Sequence, residues 1–165
     1  MSLQEAAAQA DALAQAGSER ELAELRSRFG DELEASARSQ DFRERAVAFR
    51  AIGQFRWRAK EELLRRGLDD ESPAARGSAL LSLELLSRDH PSSVNGLRPR
   101  LHTLVSSDGN PAVRRLAVLA LKNGSPQRDT VVLLEGIAGD DEAEAQLRKA
   151  AAGVAQQLKR RQPRR

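Results

Sequence analysis

One short motif occurs twice in this chain and limits its possible folds more than any other feature. Residues 110–114 read Asn-Pro-Ala-Val-Arg, and residues 72–76, which lie 38 positions earlier, read Ser-Pro-Ala-Ala-Arg. In both copies a good capping residue precedes a proline at the first helical position, where the missing N–H costs nothing. Apolar residues then follow at helical spacing. Two copies of one helical motif at this distance predict stacked helix–turn–helix units, an α-solenoid.

The composition favours an all-helical chain. Aromatic residues make up only 3% of the 165 residues, and the abundant alanine, leucine, glutamate and arginine all favour helices. Because the chain contains no cysteine, disulfides and thiolate metal sites are excluded. The sequence has no apolar run of membrane-spanning length and no secretory signal pattern, so we expect a cytoplasmic protein.

Glycine, proline and capping residues predict where the helices begin and end. We expect a first helix over residues 2–16 that packs weakly, because its apolar face is mostly alanine. We also expect Gly30 to break the second helix, and Gly67 to end a short basic helix that begins at Trp57. Four inner helices are predicted at residues 41–54, 73–88, 111–122 and 142–160.

These elements divide the chain into three parts. Residues 1–38 are expected to form N-terminal capping helices, residues 39–158 a repeat solenoid, and residues 159–165 a basic, disordered tail. Each helix pair alone would leave an apolar face open, and stacking of the pairs would complete the core. Spacings of 31, 38 and 34 residues separate the equivalent arginines of the repeats, Arg45, Arg76, Arg114 and Arg148.

The later copy follows the pattern Asp-x-x-Pro-x-Val-Arg-x-x-Ala-x-x-Ala-Leu with Asp108, Pro111, Val113, Arg114, Ala117, Ala120 and Leu121. This pattern resembles HEAT repeats, especially the short HEAT-like repeats of phycobilin lyase subunits. The earlier copy has Ala75 and Ser82 where the pattern has valine and alanine, and it keeps Asp70, Pro73, Arg76, Ala79 and Leu83. The resemblance covers about residues 39–158 and implies a short right-handed α-solenoid of about four HEAT-like helix pairs. It implies little about function, because such repeats serve unrelated partners.

Each of three copies has an acidic residue six positions before an arginine. In HEAT-like families the arginine of one unit binds the loop acid of a neighbour, and the planar guanidinium suits this role because it binds a carboxylate through two hydrogen bonds. The resemblance therefore implies a structural ladder, and ligand binding by these residues is the alternative. The pairs are Asp70 with Arg76, Asp108 with Arg114, and Glu142 with Arg148.

The formal net charge of +3 is unevenly distributed along the chain. Residues 43–66 carry +5 and residues 148–165 carry +7, whereas the remaining segments are acidic. Arginines beside a tryptophan can bind a phosphate backbone and stack on bases, but the same residues also fit a solvated face around a core tryptophan. The residues of the nucleic-acid interpretation are Arg56, Trp57, Arg58, Lys60, Arg65 and Arg66.

No catalytic or metal-binding constellation is recognisable. His90 and His102 lack further ligands at metal-binding spacing, and neither a nucleophile motif nor a phosphate-binding loop occurs. We therefore expect a non-enzymatic interaction scaffold or adaptor without a cofactor, which binds a protein partner on the concave face of the inner helices. The residues expected to contact this partner are Arg43, Arg50, Glu84, Arg115 and Lys122.

Two other functions stay open at this point. The basic 43–66 block and the tail 159–165 together suggest nucleic-acid binding, although the tail equally fits a role in solubility and in compensating the helix dipole. The resemblance also implies an accessory subunit of the bilin lyase type, but no part of the chain reads as a tetrapyrrole site.

Overall fold

The computed structural model describes residues 1–163, and these residues form α-helices joined by short loops, without any strand. The prediction of an all-α chain is confirmed. No helix within these residues combines the length and the apolar character that a membrane span requires. The helices are α1 Leu3–Ala16, α2 Glu19–Ala37, α3 Phe42–Gln54, α4 Glu61–Leu68, α5 Pro73–Asp89, α6 Ser92–Asn95, α7 Arg98–Ser107, α8 Pro111–Leu121, α9 Arg128–Ala138 and α10 Ala145–Arg161.

The chain forms two compact units, an N-terminal unit of Met1–Leu86 and a C-terminal unit of Ser87–Arg165. In the N-terminal unit, α1, α2 and α3 pack on one another, and α4 packs on α3. Helices α1 and α2, which cover most of the expected N-terminal capping segment 1–38, share one compact unit with α3. In the C-terminal unit, α8 contacts both α7 and α10, and α9 packs along α10.

Helix α1 is firmly held, contrary to the weak packing that its alanine-rich face predicts. Its N-terminus carries a capping box, in which Ser2 Oγ accepts the N–H of Glu5 and the Glu5 carboxylate accepts the N–H of Ser2. Its C-terminus ends at Gly17, whose φ of 74° closes the last turn. Small side chains let α1 approach its neighbours closely, and the buried residues of its inner face are Leu3, Ala6, Ala7 and Ala10.

The expected break in α2 at Gly30 is wrong. Phe29, Leu33 and Ala37 are all buried, so the apolar face of α2 continues past the glycine and packing holds the helix together. A Cβ atom at Gly30 would lie 3.2 Å from the Trp57 ring, so the absence of a side chain makes room for the tryptophan.

Gly67 is the next-to-last residue of α4, which ends at Leu68, one residue after the expected stop. A Cβ atom there would lie 2.9 Å from Ala79 Cβ and 3.1 Å from the Phe49 ring, so glycine permits close packing of α4 at this point. The segment from Trp57 begins with a 3₁₀ turn at Arg58–Lys60, and α4 follows it as a separate element. Close packing therefore explains why glycine occupies position 67, whereas the sequence suggested that this glycine ends the helix.

The loops before α3, α5 and α8 share one hydrogen-bonding scheme. In each loop a side-chain oxygen accepts the N–H two residues later, and that later residue caps the helix. Before α5, Asp70 Oδ1 accepts the N–H of Ser72 at 2.9 Å, and Ser72 Oγ accepts the N–H of Ala75 at 3.4 Å. Before α3, Ser39 is the first acceptor and Asp41 is the cap. Before α8, Asp108 is the first acceptor and Asn110 is the cap.

An arginine closes two of these loops in the same way. Arg45 Nη1 donates to the carbonyl oxygens of Ser39 and Gln40, both at 3.0 Å. Arg76 Nη1 donates to the carbonyl oxygens five and six residues before it, at 3.2 and 2.9 Å. In α8 the equivalent Arg114 instead donates from Nε to the carbonyl oxygen of Val105 at 2.7 Å. Arg45 and Arg76 therefore share one loop contact, whereas Arg114 binds a carbonyl group of α7.

Candidate functional site

Acidic residues pair with most of the basic 43–66 block. Arg56 Nη1 lies 2.8 Å from Asp11 Oδ1, and Lys60 forms an ion pair with Glu34. Contacts within the block join Arg58 to Glu61 at 3.7 Å and Arg65 to Glu62 at 3.5 Å, and Arg66 is exposed at the end of α4. The block therefore presents alternating charges, which disfavour a continuous phosphate-binding surface.

The Trp57 ring is half-buried and already in contact with other side chains. The Lys60 ammonium lies over the ring, 5.2 Å from its centroid, and the Phe55 ring centroid lies 5.7 Å away. An incoming base would have to displace Lys60 from that face of the indole. Of the two interpretations that the sequence left open for Trp57, this arrangement favours the packing role over the stacking role.

The turn after α3 depends on two arginines that bind backbone carbonyl groups. Arg56 has a φ of 51°, a left-handed conformation that favours glycine, and the N–H groups of Arg56 and Trp57 donate back to the last turn of α3. Arg26 of α2 donates from Nε and Nη2 to the carbonyl oxygen of Phe55 at 2.9 and 2.7 Å. Burial lowers the pKa of Arg26, against the opposing effect of Glu19. Arg56, a residue of the nucleic-acid interpretation, thus holds this turn together.

Asp70, which the resemblance assigns to a ladder, binds the arginine of a preceding copy. Arg45 Nε and Nη2 lie 2.8 and 3.0 Å from its two carboxylate oxygens, and the side chains of Arg45 and Asp70 are only 13% and 9% exposed. Burial alone would raise the pKa of Asp70, but hydrogen bonds from Arg45 and from the N–H of Ser72 outweigh burial and hold this pKa below its usual value. The same hydrogen bond raises the pKa of Arg45.

The other acidic residues of the expected ladder lie in the loops before α8 and α10. Asp108 Oδ1 accepts the N–H of Asn110 at 2.9 Å. Before α10 the corresponding acceptor is Asp140, whose Oδ1 accepts the N–H of Glu142 at 3.0 Å, and the Glu142 side chain is exposed. Arg148 lies in the first turns of α10, where its Nε is buried and makes no hydrogen bond to the described residues.

Helices α8 and α10 flank an open groove of about 480 Å³ in the C-terminal unit. Three basic residues line it: Arg115 from α8, Lys122, which directly follows α8, and Lys149 from α10. Its apolar lining consists of Leu119, Ala150, Gly153 and Val154, and its amides are Gln146 and Gln157. None of the lining residues that the structure describes is acidic, so the groove combines an apolar floor with positive walls.

Arg115 joins the two walls of this groove. Its Nη1 donates to Gln146 Oε1 at 2.7 Å, which links α8 to α10 at one end. At the other end, Arg161 Nη2 donates to the carbonyl oxygens of Lys122 and Gly124, the latter at 2.9 Å, and Gln162 Nε2 donates to a carbonyl of the same loop. Both ends of the groove are thus fixed by hydrogen bonds.

These contacts change the expected boundary of the basic tail. Lys159, Arg160 and Arg161 form the last turn of α10, so the segment expected to be disordered from residue 159 is helical as far as Arg161. The helix persists because Leu158 is fully buried and Arg161 binds the loop after α8. The expectation for residues 164 and 165 falls outside the described residues.

The other three expected partner-binding residues lie in the N-terminal unit. Arg43 is exposed at the start of α3, 3.3 Å from Asp41 and over the ring of Phe42, which is 46% exposed. Arg50 on α3 and Glu84 on α5 are partly buried. The structure therefore brings Arg115 and Lys122 together in the groove. Lys149 belongs to the basic segment 148–165, but the sequence placed neither Lys149 nor Gly153 beside α8, because their relation to α8 depends on the packing of α10.

Comparison with known proteins gives no relative from which a function could be transferred: no family model matches the chain, and no curated protein matches it significantly. Within the described residues, no cluster of three or more histidine, aspartate or glutamate side chains could hold a metal ion.

Proposed function

We propose that this protein is a HEAT-like helical-repeat adaptor that binds a protein partner without catalysis. The recurring loop scheme before α3, α5 and α8 supports the repeat register, in which these helices and α10 are the inner helices of an α-solenoid of about four helix pairs. The observation that carries the function is the α8/α10 groove, where three basic side chains surround an apolar floor.

This lining favours a protein segment that carries both acidic and apolar side chains. Positive walls attract carboxylates and steer their approach, whereas the apolar floor supplies the area that binding removes from water. Arg115 can hold a carboxylate through two hydrogen bonds, and Lys122 and Lys149 act as more mobile point charges. A groove of this kind has no need of a cofactor or of a reacting group.

Nucleic acid is a weaker candidate, because acidic residues of α1 and α2 pair with Arg56 and Lys60 of the 43–66 block, and Lys60 covers a face of Trp57. The bilin lyase alternative rests on the resemblance alone, since the groove offers no aromatic side chain for a tetrapyrrole.

The test is fluorescence anisotropy with a labelled peptide rich in glutamate and leucine and a labelled oligonucleotide. The double variant Arg115→Glu/Lys149→Glu should lower the affinity for the peptide at least about tenfold, the loss of roughly 1.4 kcal/mol of binding free energy. The matched control Arg65→Glu/Arg66→Glu has the same charge change outside the groove and should bind the peptide normally. Thermal melts establish that both variants are folded.

Two results would contradict the proposed function. The peptide could bind equally well to the groove variant and the wild type, which would remove the groove from the function. Alternatively, the oligonucleotide could bind more tightly than the peptide and lose affinity in the Arg65/Arg66 variant, which would establish the nucleic-acid function instead.

A further inference from the structure

We infer that the partner segment held in the α8/α10 groove is an acidic amphipathic α-helix, and that Gly153 sets how closely this helix can dock. The inference rests on the proposed function and gives the occupant a definite shape. It follows from Gly153, which packing within the chain does not explain, from the spacing of the basic residues and from the open space between α8 and α10.

Gly153 lies in the middle of α10, where glycine destabilises a helix relative to alanine. A Cβ atom built there would meet no atom within 4 Å, so packing within the chain does not require glycine at this position. Gly53 and Gly67 differ in this respect, because neighbouring atoms occupy the space that their side chains would need. At Gly153 the free space belongs to the groove.

The free space above Gly153 adjoins that of Ala150, one helical turn earlier. Two small residues at this spacing create a shallow notch in α10 that admits the backbone of another element. A helix presents rows of side chains with grooves between them, and such rows pack into the space between two neighbouring helices. The notch therefore suits the close approach of a helix.

The basic residues match acids that a helix would present. Arg115 lies on α8 and Lys122 directly follows that helix with helical backbone angles, so the two are seven residues apart and about 10 Å apart along the helix axis. A helix returns to nearly the same face every seven residues, so glutamates at positions i and i+7 of the partner would lie opposite them. Lys149 on the opposite wall would face an acid on the other flank of the partner's apolar stripe. The expected partner thus has small or apolar residues flanked by acids.

The test uses two labelled peptides of identical composition and about 18 residues, roughly five helical turns. In the helical probe, glutamate and leucine follow the helical period, with glutamates seven apart, whereas in the control probe they alternate with a period of two. The protein variants are Gly153→Ala and Gly153→Leu. The matched control is Gly136→Ala, since Gly136 is an exposed glycine in the last turn of α9 that also has open space around it and does not line the groove.

Both glycine-to-alanine changes should raise Tm by a few degrees, because alanine favours the helix. Gly153→Leu should lower the affinity for the helical probe about tenfold by filling the notch, and Gly153→Ala should lower it less. Gly136→Ala should leave the affinity unchanged, and the helical probe should bind more tightly than the control probe.

The inference and the proposed function can fail separately. If the Arg115/Lys149 charge reversal abolishes binding but Gly153→Leu does not weaken it, the groove binds acidic protein and the close-docking inference is overturned. If the control probe binds as tightly as the helical probe, the helical occupant is overturned. If the charge reversal itself has no effect on binding, the proposed function fails, and the close-docking inference and the helical occupant fail with it.

Discussion

Arg45 and Asp70 are 25 residues apart in sequence, yet they form a two-point ion pair at 2.8 and 3.0 Å. Arg45 also donates to the loop before α3, and Asp70 accepts an N–H in the loop before α5. The pair therefore joins the starts of two successive copies of the repeat motif. Its partial burial makes it less screened by solvent than a surface salt bridge.

Replacing Asp70 should change how stability responds to acid. The folded pKa of Asp70 lies below the unfolded value of about 3.9, so its contribution is fully present above that pH and is lost as pH falls through the folded pKa. Asp70→Asn should therefore be less stable than the wild type at pH 7, and the difference should shrink below about pH 4. Urea unfolding across this range measures it. Asp31→Asn, an exposed carboxylate on α2, serves as the control, and equal acid profiles for all three proteins would contradict the prediction.

The left-handed turn at Arg56 predicts that glycine is preferred over alanine there. Both substitutions remove the contact with Asp11, but only alanine keeps a Cβ at a φ of 51°. Arg56→Gly should be more stable than Arg56→Ala by about 1 kcal/mol. Denaturant unfolding, followed through Trp57 fluorescence, measures this difference. Equal stabilities would mean that the turn relaxes to another conformation when the arginine is removed.

Gly53 should tolerate no larger residue, because α3 and α5 approach very closely at this point. A Cβ atom there would lie 2.6 Å from Ser82 Cα, and the Gly53 N–H donates to Ser82 Oγ at 2.9 Å. Gly53→Ala should lower the free energy of unfolding by about 2 kcal/mol through overpacking. Gly136→Ala, where space is open, should instead raise it by roughly 0.5–1 kcal/mol. A neutral effect at Gly53 would show that α5 can move away at little cost.

His102 should make the stability of the C-terminal unit depend on pH near neutrality. Its Nε2 lies 2.8 Å from Thr130 Oγ1, and burial, assisted by Arg98 and opposed by Asp129, lowers its pKa. The unfolded chain therefore takes up the proton first, and stability should fall as pH drops below about 6.5. His102→Gln should remove this decline in thermal melts, whereas His90→Gln, in the loop after α5, should keep it. A decline that survives in His102→Gln must originate elsewhere.

Local signals predicted the starts of α3, α5 and α8 well, whereas α4 and α10 begin later than expected, at Glu61 and Ala145. Pro73 and Pro111 begin α5 and α8 as expected, because a proline after a capping residue fixes the first turn without any distant contact. Asp41 likewise caps α3 through the N–H of Arg43. Such features depend on a few neighbouring residues, so the sequence alone is sufficient to find them.

Features that depend on distant residues were misread or missed. Gly30 and Gly67 look like helix breakers until Trp57 and Phe49 are seen beside them. Of the three basic residues in the groove, the sequence named two as partner-binding residues and missed the third, because the third also depends on a distant contact. The positions of Arg115 and Lys122 follow from the period of α8, but Lys149 joins them only through the packing of α10 on α8.

The recurring loop scheme has a consequence for how such a chain can change in length. The first acceptor, the cap and the arginine before α5 all lie within residues 70–76, so the segment brings its own start signal when it is copied. Duplication or deletion of a whole segment therefore leaves a correctly capped junction. A protein engineer who copies residues 70–76 together with the helix that follows therefore also copies the contacts that begin this helix.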